Sequence, residues 1–241
     1  MCFSVNVNLI KEELEERYGI SFPDKYRYEP SYYYHAFGLP VLPAVCSENQ
    51  ATISFLKWGL IPEWIRNKED AEEIRFKTFN ARAESIDTKP SFSPSFRQKR
   101  CLIPVRGFYE WQHRRKKKIP WYVYRADNDI ITLAGLYSEW KPEADSESVK
   151  TFTIITTEAN ELMAEVHNSK KRMPAILERQ DEKKWLDTAI HPNNALEMLK
   201  PSPQNILKAY TIGPLVNDRT ANRNRPEVTR EFNWSGDKTL F

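Results

Sequence analysis

The sequence predicts an α+β fold in a single compact domain, and three observations predict it. Segments with strand character crowd residues 101–140 and recur at 51–60, 151–157 and 205–212. The helical segments between them are short, and no strand–helix–strand alternation runs along the chain, which sets the pattern apart from a parallel α/β sheet. The length of 241 residues lies just under the size at which one hydrophobic core stops growing, so one domain over 1–241 is expected. A composition 40% hydrophobic and 12% aromatic supplies the apolar surface for that core and excludes a disordered chain.

Taken in order, "NLIKEELEERYG" (8–19) reads as a helix: Asn8 is placed to cap it, Leu9, Ile10 and Leu14 share a face, and Gly19 ends it. Residues 22–50 are rich in Tyr, Pro and Gly and read as extended segments and turns. "ATISFLKWGL" (51–60) alternates as a strand does, "NARAESI" (80–86) opens a short helix, and "SFSPSFRQK" (91–99) forms another. The dense β region follows as "CLIPVRGFYEWQ" (101–112), "IPWYVYRA" (119–126) and "IITLAGLYSEW" (130–140), with "HRRKKK" and "DND" as hairpin loops between them. "TFTIITT" (151–157) reads as a buried strand and "EANELMAEV" (158–166) as a helix. "ERQDEKKWLD" (178–187) and "NNALEMLK" (193–200) are further helices, and "NILKAYTI" (205–212) is the last strand. There is no internal repeat.

A formal charge of +3 is weakly basic, so a nucleic-acid function has to be argued from local clusters and not from the total. Cys2, Cys46 and Cys101 are odd in number and widely spaced, with no C-x-x-C pair. That argues against a disulfide framework or a zinc knuckle and for a reducing compartment. No basic start leads into an apolar stretch, and no run approaches eighteen apolar residues, so a soluble cytoplasmic protein is expected.

Cys2 poses the chemical question. Directly behind the initiator methionine, it is a buried strand residue, the occupant of a frayed end, or a nucleophile that gains a free α-amine when Met1 is removed. Glu110 in "RGFYEWQ" shares a face with Phe108 and Gln112 if the strand alternates, opposite Tyr109 and Trp111. Buried among aromatic rings its carboxyl would have a raised pKa and suit a proton shuttle; on an edge strand it would face water. His167 ends a helix, where it either caps that end as a cation or serves as general acid or base. With four histidines and no second one at ligand spacing, no metal site is expected. Asn80 is placed to cap a helix, and Arg82 and Arg172 read as surface charges or as bidentate phosphate clamps. "HRRKKK" (113–118) is a solvated tip that would concentrate polyanions, and Trp58 and Trp64 either fill the core or stack on bases.

In combination the signals sharpen. The fragments "MC", "WGLIPEW" (58–64), "NARAES" (80–85), "RCLIPVRGFYEW" (100–111), "LAGLYSEW" (133–140), "FTIITTEAN" (152–160) and "H…RMPAIL" (167–177) occur in that order, followed by "GPLVND" (213–218). The set resembles the SRAP family, the SOS-response-associated peptidase-like proteins that process abasic sites in DNA. The resemblance implies a distorted β-barrel-like core with peripheral short helices and a positively charged groove. It implies that Met1 is removed and that Cys2 then bonds covalently to an abasic site in single-stranded DNA as a thiazolidine. Carried over by motif, Cys2 is the nucleophile, Asn80 holds its amine, Glu110 moves protons and His167 assists ring opening. Arg82 and Arg172 correspond to DNA-backbone contacts, and Trp58 or Trp64 is expected to stack on flanking bases. No cofactor and no metal are implied. The expected partner is abasic single-stranded DNA, bound by a cytoplasmic monomer that is nucleoid-associated when on DNA.

The chain departs from the family pattern in three places. "MCFS" stands where "MCGR" is usual, which removes a cation, and "HNSKKRMP" is three residues longer than the usual "H-x-RMP", which leaves the relative placement of His167 and Arg172 open. Residues 30–45 match only loosely and yield no site residue.

Chemistry favours the terminal position. An α-amine with a pKa of about 7.7–8.0 is roughly 20–30% neutral near physiological pH, whereas a lysine is about 0.1% neutral. A thiol on the same residue closes a five-membered ring on the imine carbon at high effective molarity. The same arrangement suits self-cleavage of the Met1–Cys2 bond, and two rival readings remain: a cysteine peptidase acting on protein substrates, and a non-covalent single-strand binder with a structural Cys2.

Overall fold

The strand-forming stretches assemble into two sheets, one of which closes on itself. The computed structural model describes residues 2–23, 27–142 and 147–234. The chain begins with β1 (Ser4–Val7), α1 (Lys11–Tyr18), β2 (Ser31–His35), β3 (Val41–Cys46) and β4 (Asn49–Trp58). Next come α2 (Lys68–Arg75), β5 (Asn80–Arg82), α3 (Ser93–Gln98), β6 (Arg100–Val105), β7 (Gly107–Arg114) and β8 (Lys117–Arg125). After β9 (Ile131–Trp140) and β10 (Val149–Glu158) follow α4 (Glu161–Val166), β11 (Arg172–Pro174), β12 (Ile176–Leu177), α5 (Arg179–Leu186), α6 (Pro192–Glu197) and β13 (Leu207–Thr211).

β10 pairs in parallel with β4 through Thr151↔Lys57 and Phe152↔Trp58, and β4–β3, β3–β6, β6–β9 and β9–β10 are antiparallel. The ring β10–β4–β3–β6–β9 is therefore closed, which removes the exposed edges an open sheet would carry. The second sheet, in the order β13–β8–β7–β1–β2, is antiparallel throughout. Val5, Val7, Phe108 and Val123 of this sheet share one apolar cluster with Leu42, Leu56, Leu102, Leu133 and Ile154 of the ring. The result is an α+β unit with a distorted barrel-like core and short peripheral helices, as expected. Among the described residues no helix is long and apolar enough to cross a membrane.

β1 occupies a central position in its sheet, so all four of its residues are buried. Its polar residues are satisfied locally. Ser4 Oγ lies 2.9 Å from His35 Nδ1 and 3.2 Å from Tyr33 Oη, and Asn6 Nδ2 donates to Tyr122 Oη at 3.1 Å. Gly107 faces Asn6 across the β1–β7 pair, and a Cβ there would lie 2.5 Å from both Tyr122 Oη and the Val123 carbonyl oxygen.

Several local expectations are corrected. The first helix starts at Lys11, capped by Ile10, whose N–H donates to Glu13 Oε2; Asn8 instead turns back to Asn6, and Ile10 is 51% exposed while Leu9 and Leu14 are buried. "CLIPVRGFYEWQ" is two strands broken at Arg106, one in each sheet. "HRRKKK" is mostly strand, since His113↔Lys118 and Arg114↔Lys117 pair and only Arg115 and Lys116 turn, Arg115 in the left-handed region at φ 53°. "DND" is no hairpin: β8 and β9 belong to different sheets, so the segment crosses between them. "NARAESI" forms β5 and then a 3-10 turn over Ala83–Ser85, because parallel pairing to β10 overrides the local helix signal. The segment 205–212 begins in a 3-10 turn (Gln204–Ile206) before β13.

Candidate active site

The antiparallel register Ser4↔Tyr109 and Val5↔Phe108 seats the N-terminal strand on β7, the strand that carries Glu110. Cys2 is fully buried, with Sγ 4.0 Å from the Ser4 carbonyl oxygen. Burial, reinforced by the nearby Glu110 carboxylate, pushes its thiol pKa well above the ordinary value. A frayed end is thereby excluded.

Glu110 obeys the alternation expected of it. Phe108, Glu110 and Gln112 are all buried, and the carboxyl sits on a strand flanked by β1 and β8, not at an edge. Burial raises its pKa to about 7. His167 follows the last residue of α4, and its N–H donates to the Met163 carbonyl. The expectation of a cationic helix cap does not hold: the residue is 7% exposed, and burial lowers its pKa to about 4. The imidazole is therefore neutral near pH 7. Its Nδ1 lies 2.9 Å from the Arg172 carbonyl oxygen, which can only accept, so Nδ1 carries the proton and Nε2 presents a lone pair. That Nε2 lies 4.0 Å from Glu110 Oε2.

The three-residue extension of "HNSKKRMP" is absorbed by a closed turn. Lys171 takes a left-handed conformation (φ 49°), and its N–H donates to the His167 carbonyl at 2.9 Å. His167 and Arg172 thus remain in contact. The Arg172 guanidinium is already engaged, by Nη1 and Nη2 to Glu84 at 2.5 and 3.0 Å and by Nη2 to the Thr156 carbonyl at 2.6 Å. These contacts tie the end of the His167 turn to Glu84 and to β10.

Asn80 lies on β5 opposite Ile154, not at a helix start. Its amide oxygen and nitrogen are both buried without a hydrogen-bond partner among the described residues, an arrangement that favours an added polar group. The adjacent Phe79 ring meets Phe3 edge-on at 6.2 Å, which brings this strand to the N-terminal segment. Arg82, two residues along the same strand face, is exposed.

A cavity of about 540 Å³ opens over Glu110 and His167, lined also by Phe3, His35, Trp111, Lys118, Lys170 and Arg219. Sequence reasoning missed His35, which Ser4 holds, and Glu84, which anchors Arg172. For Glu84 the "NARAE" alternation was a usable signal; His35 lies in the loosely matching 30–45 stretch. Trp58 corrects its expectation: it is 0% exposed and donates through Nε1 to the Phe79 carbonyl, so it is a core residue with no face for a base. Trp64 is half exposed and lines a different depression with Pro62, Pro90 and Pro94. The exposed rings near the Glu110 cavity are Phe37 and Phe76, packed with each other and with Phe3 and Phe79. No group of three or more His, Cys, Asp or Glu among the described residues is arranged to hold a metal ion.

The chain is similar to proteins already known. The "Abasic site processing protein YoqW" of Bacillus subtilis (strain 168) is 36% identical over 221 residues, covering 90% of this chain and 93% of the relative. The "Abasic site processing protein HMCES" of Xenopus tropicalis is 31% identical over 231 residues, covering 85% of this chain and 67% of the relative. A crystal structure of a Bacteroides thetaiotaomicron protein superposes with a TM-score of 0.90 at 34% identity, covering 96% of this chain and 100% of that one. The family model described as SOS response associated peptidase (SRAP) matches residues 1–219, and the chain belongs to that family.

Proposed function

We propose that this chain, acting as one domain and as a cytoplasmic monomer, recognises abasic sites in single-stranded DNA and covers them by a covalent bond through Cys2. The observation that carries the reading is the pair Glu110 and His167, titrating from opposite directions 4.0 Å apart beside a buried cysteine at the N-terminus. Removal of Met1, by the chain itself or by an aminopeptidase, frees the α-amine. The neutral amine attacks the aldehyde carbon of the ring-opened sugar, and the hydroxyl leaves as water to give an imine. The Cys2 sulfur then adds to the imine carbon while its proton passes to the nitrogen. One aldehyde and one aminothiol become one thiazolidine and one water.

Each residue has a role that its environment suits. A carboxyl with a pKa near 7 is part acid and part base at physiological pH, so Glu110 protonates the departing oxygen and takes a proton back later. The Nε2 lone pair of His167 accepts a proton during sugar ring opening. A thiol kept protonated by burial leaves the amine to attack first. The unpartnered Asn80 amide receives the freed amine. Arg82 contacts the DNA backbone, Arg172 acts by positioning His167, and flanking bases stack on Trp64 and on Phe37 and Phe76.

The test mixes purified protein with a single-stranded oligonucleotide carrying one abasic site. The expected product is a heat-stable band whose mass equals protein without Met1 plus DNA minus one water. Cys2→Ala abolishes it, and Glu110→Ala or His167→Ala slows its formation at saturating DNA. Cleavage of peptide substrates with unshifted DNA would instead establish the peptidase reading, and a shift lost on denaturation would leave a plain binder.

A further inference from the structure

Three cations reach the Glu110 cavity from three separate chain segments: Lys118 from the start of β8, Lys170 from the turn after α4, and Arg219 from the segment after β13. All three side chains are exposed, and none is ion-paired among the described residues. Among the described residues, Glu110 is the one carboxylate lining the cavity with them. Arg172, by contrast, is neutralised by Glu84.

The three segments are tied together. The Asn168 side chain makes two 2.9 Å hydrogen bonds to the His113 backbone, accepting from its N–H and donating to its carbonyl. This joins the lengthened turn after His167 to the β7–β8 hairpin. Trp111 Nε1 donates to Asn217 Oδ1 at 2.7 Å, which joins β7 to the segment carrying Arg219. Arg223 lies over the Tyr33 ring at 4.3 Å, and that ring in turn stacks on His35 at 6.2 Å. The segments that carry the cations are therefore tied together at the rim before any ligand arrives, which lowers the backbone-ordering cost of binding.

We infer that Lys118, Lys170 and Arg219 form a phosphodiester clamp that holds the DNA strand across the Glu110–His167 cavity, and that the extended turn after His167 completes it. The inference rests on the DNA reading above. It places the main backbone contact on residues outside the family motifs. Phosphate oxygens are the ligand chemistry that three converging, unpaired cations with a single buried carboxylate beneath them fit best.

The test measures binding of a single-stranded oligonucleotide containing a tetrahydrofuran analogue, which has no aldehyde and cannot crosslink, over a range of salt concentrations. Each phosphate contact on a single strand contributes about 0.7 to the slope of log K against log salt. The triple variant Lys118→Ala/Lys170→Ala/Arg219→Ala should flatten that slope by about 2 relative to wild type. A charge-matched variant, Lys89→Ala/Lys183→Ala/Lys208→Ala, should change it by much less; those residues are exposed and line no part of the cavity. An unchanged slope in the first variant, or equal flattening in both, overturns the clamp. Failure of wild type to crosslink a natural abasic site would overturn the covalent reading alone, because the slope comparison uses an unreactive ligand.

Discussion

Between about pH 4.5 and 6.5, Glu110 and His167 exchange the protonation states their ordinary pKa values would give them, and burial is the leading cause in both. The Glu110 carboxyl moves from 4.5 to about 7, which favours the folded state below about pH 4.5 and withdraws that advantage as pH rises through 7. The His167 imidazole moves from 6.5 to about 4, which favours the folded state above about pH 6.5 and withdraws that advantage as pH falls through 4. The two tendencies oppose each other over most of the same interval, each on the order of 3 kcal/mol from its shift. Single substitutions should expose them. Relative to wild type, Glu110→Gln should gain stability in urea unfolding as pH is raised from 4.5 to 7.5. His167→Gln should gain relative stability as pH is lowered from 6.5 to 4. A stability difference that stays level with pH in either variant would mean that the group titrates normally. At this scale the sequence put Glu110 on one face with Phe108 and Gln112 but left open whether that face met the core or water; the place of β7 between β1 and β8 decides it. For His167 the sequence left a cationic cap and an acid–base group both open, and burial removes the cap.

Single turns and strand ends carry more of the site than the long elements do. The 3-10 turn Ala36–Gly38 between β2 and β3 projects Phe37, which is 53% exposed and stacks on His35 at 5.3 Å. Base stacking on one aromatic side chain contributes about 1–3 kcal/mol, so Phe37→Ala should weaken single-strand binding by roughly 5- to 150-fold. The salt slope should not move, since no charge is lost. Trp58→Phe should leave affinity unchanged and lower thermal stability, because its indole fills the core. Fluorescence anisotropy separates the two, and wild-type affinity in Phe37→Ala would reduce that ring to packing. The physical reasons for what was and was not legible lie in contact range. Local signals placed α3, α4, α5 and α6 within a few residues, since capping and helical spacing act over one or two turns. β5 was read as a helix because its strand character comes entirely from pairing to β10, some seventy residues away, which no local window contains. The "DND" segment read as a hairpin for the same reason: which sheet a strand joins is decided by distant partners. His35 and Arg219 carried no signal, and although "HRRKKK" read as a polyanion attractor, the meeting of Lys118 with Lys170 and Arg219 at one cavity comes from segments that no local window contains.

At the scale of the whole molecule, the unusual feature is that the chain's first strand lies inside a sheet. Chain ends are where fraying concentrates, and a nucleophile on a frayed end would sample many geometries with few of them productive. Here the closed ring supplies a core that needs no contribution from the terminus to satisfy its own edges, and the second sheet uses β1 as an interior strand between β2 and β7. Cys2, just ahead of that strand and fully buried, is therefore anchored next to an interior strand. Amide exchange should report this directly: the opening free energy of β1 should lie within about 1 kcal/mol of that of β7, both approaching the global value. Gly107→Ala provides the complementary perturbation. Its Cβ would press on Tyr122 Oη and on the Val123 backbone oxygen, and a backbone atom cannot swing aside as a side-chain tip can. The variant should lose protection in β1, β7 and β8 together while the ring strands β6 and β9 keep theirs, and crosslinking should fall with the protection of β1. Rapid exchange of β1 in wild type, in the manner of a loose terminus, would contradict the claim that the fold itself holds the cysteine in place.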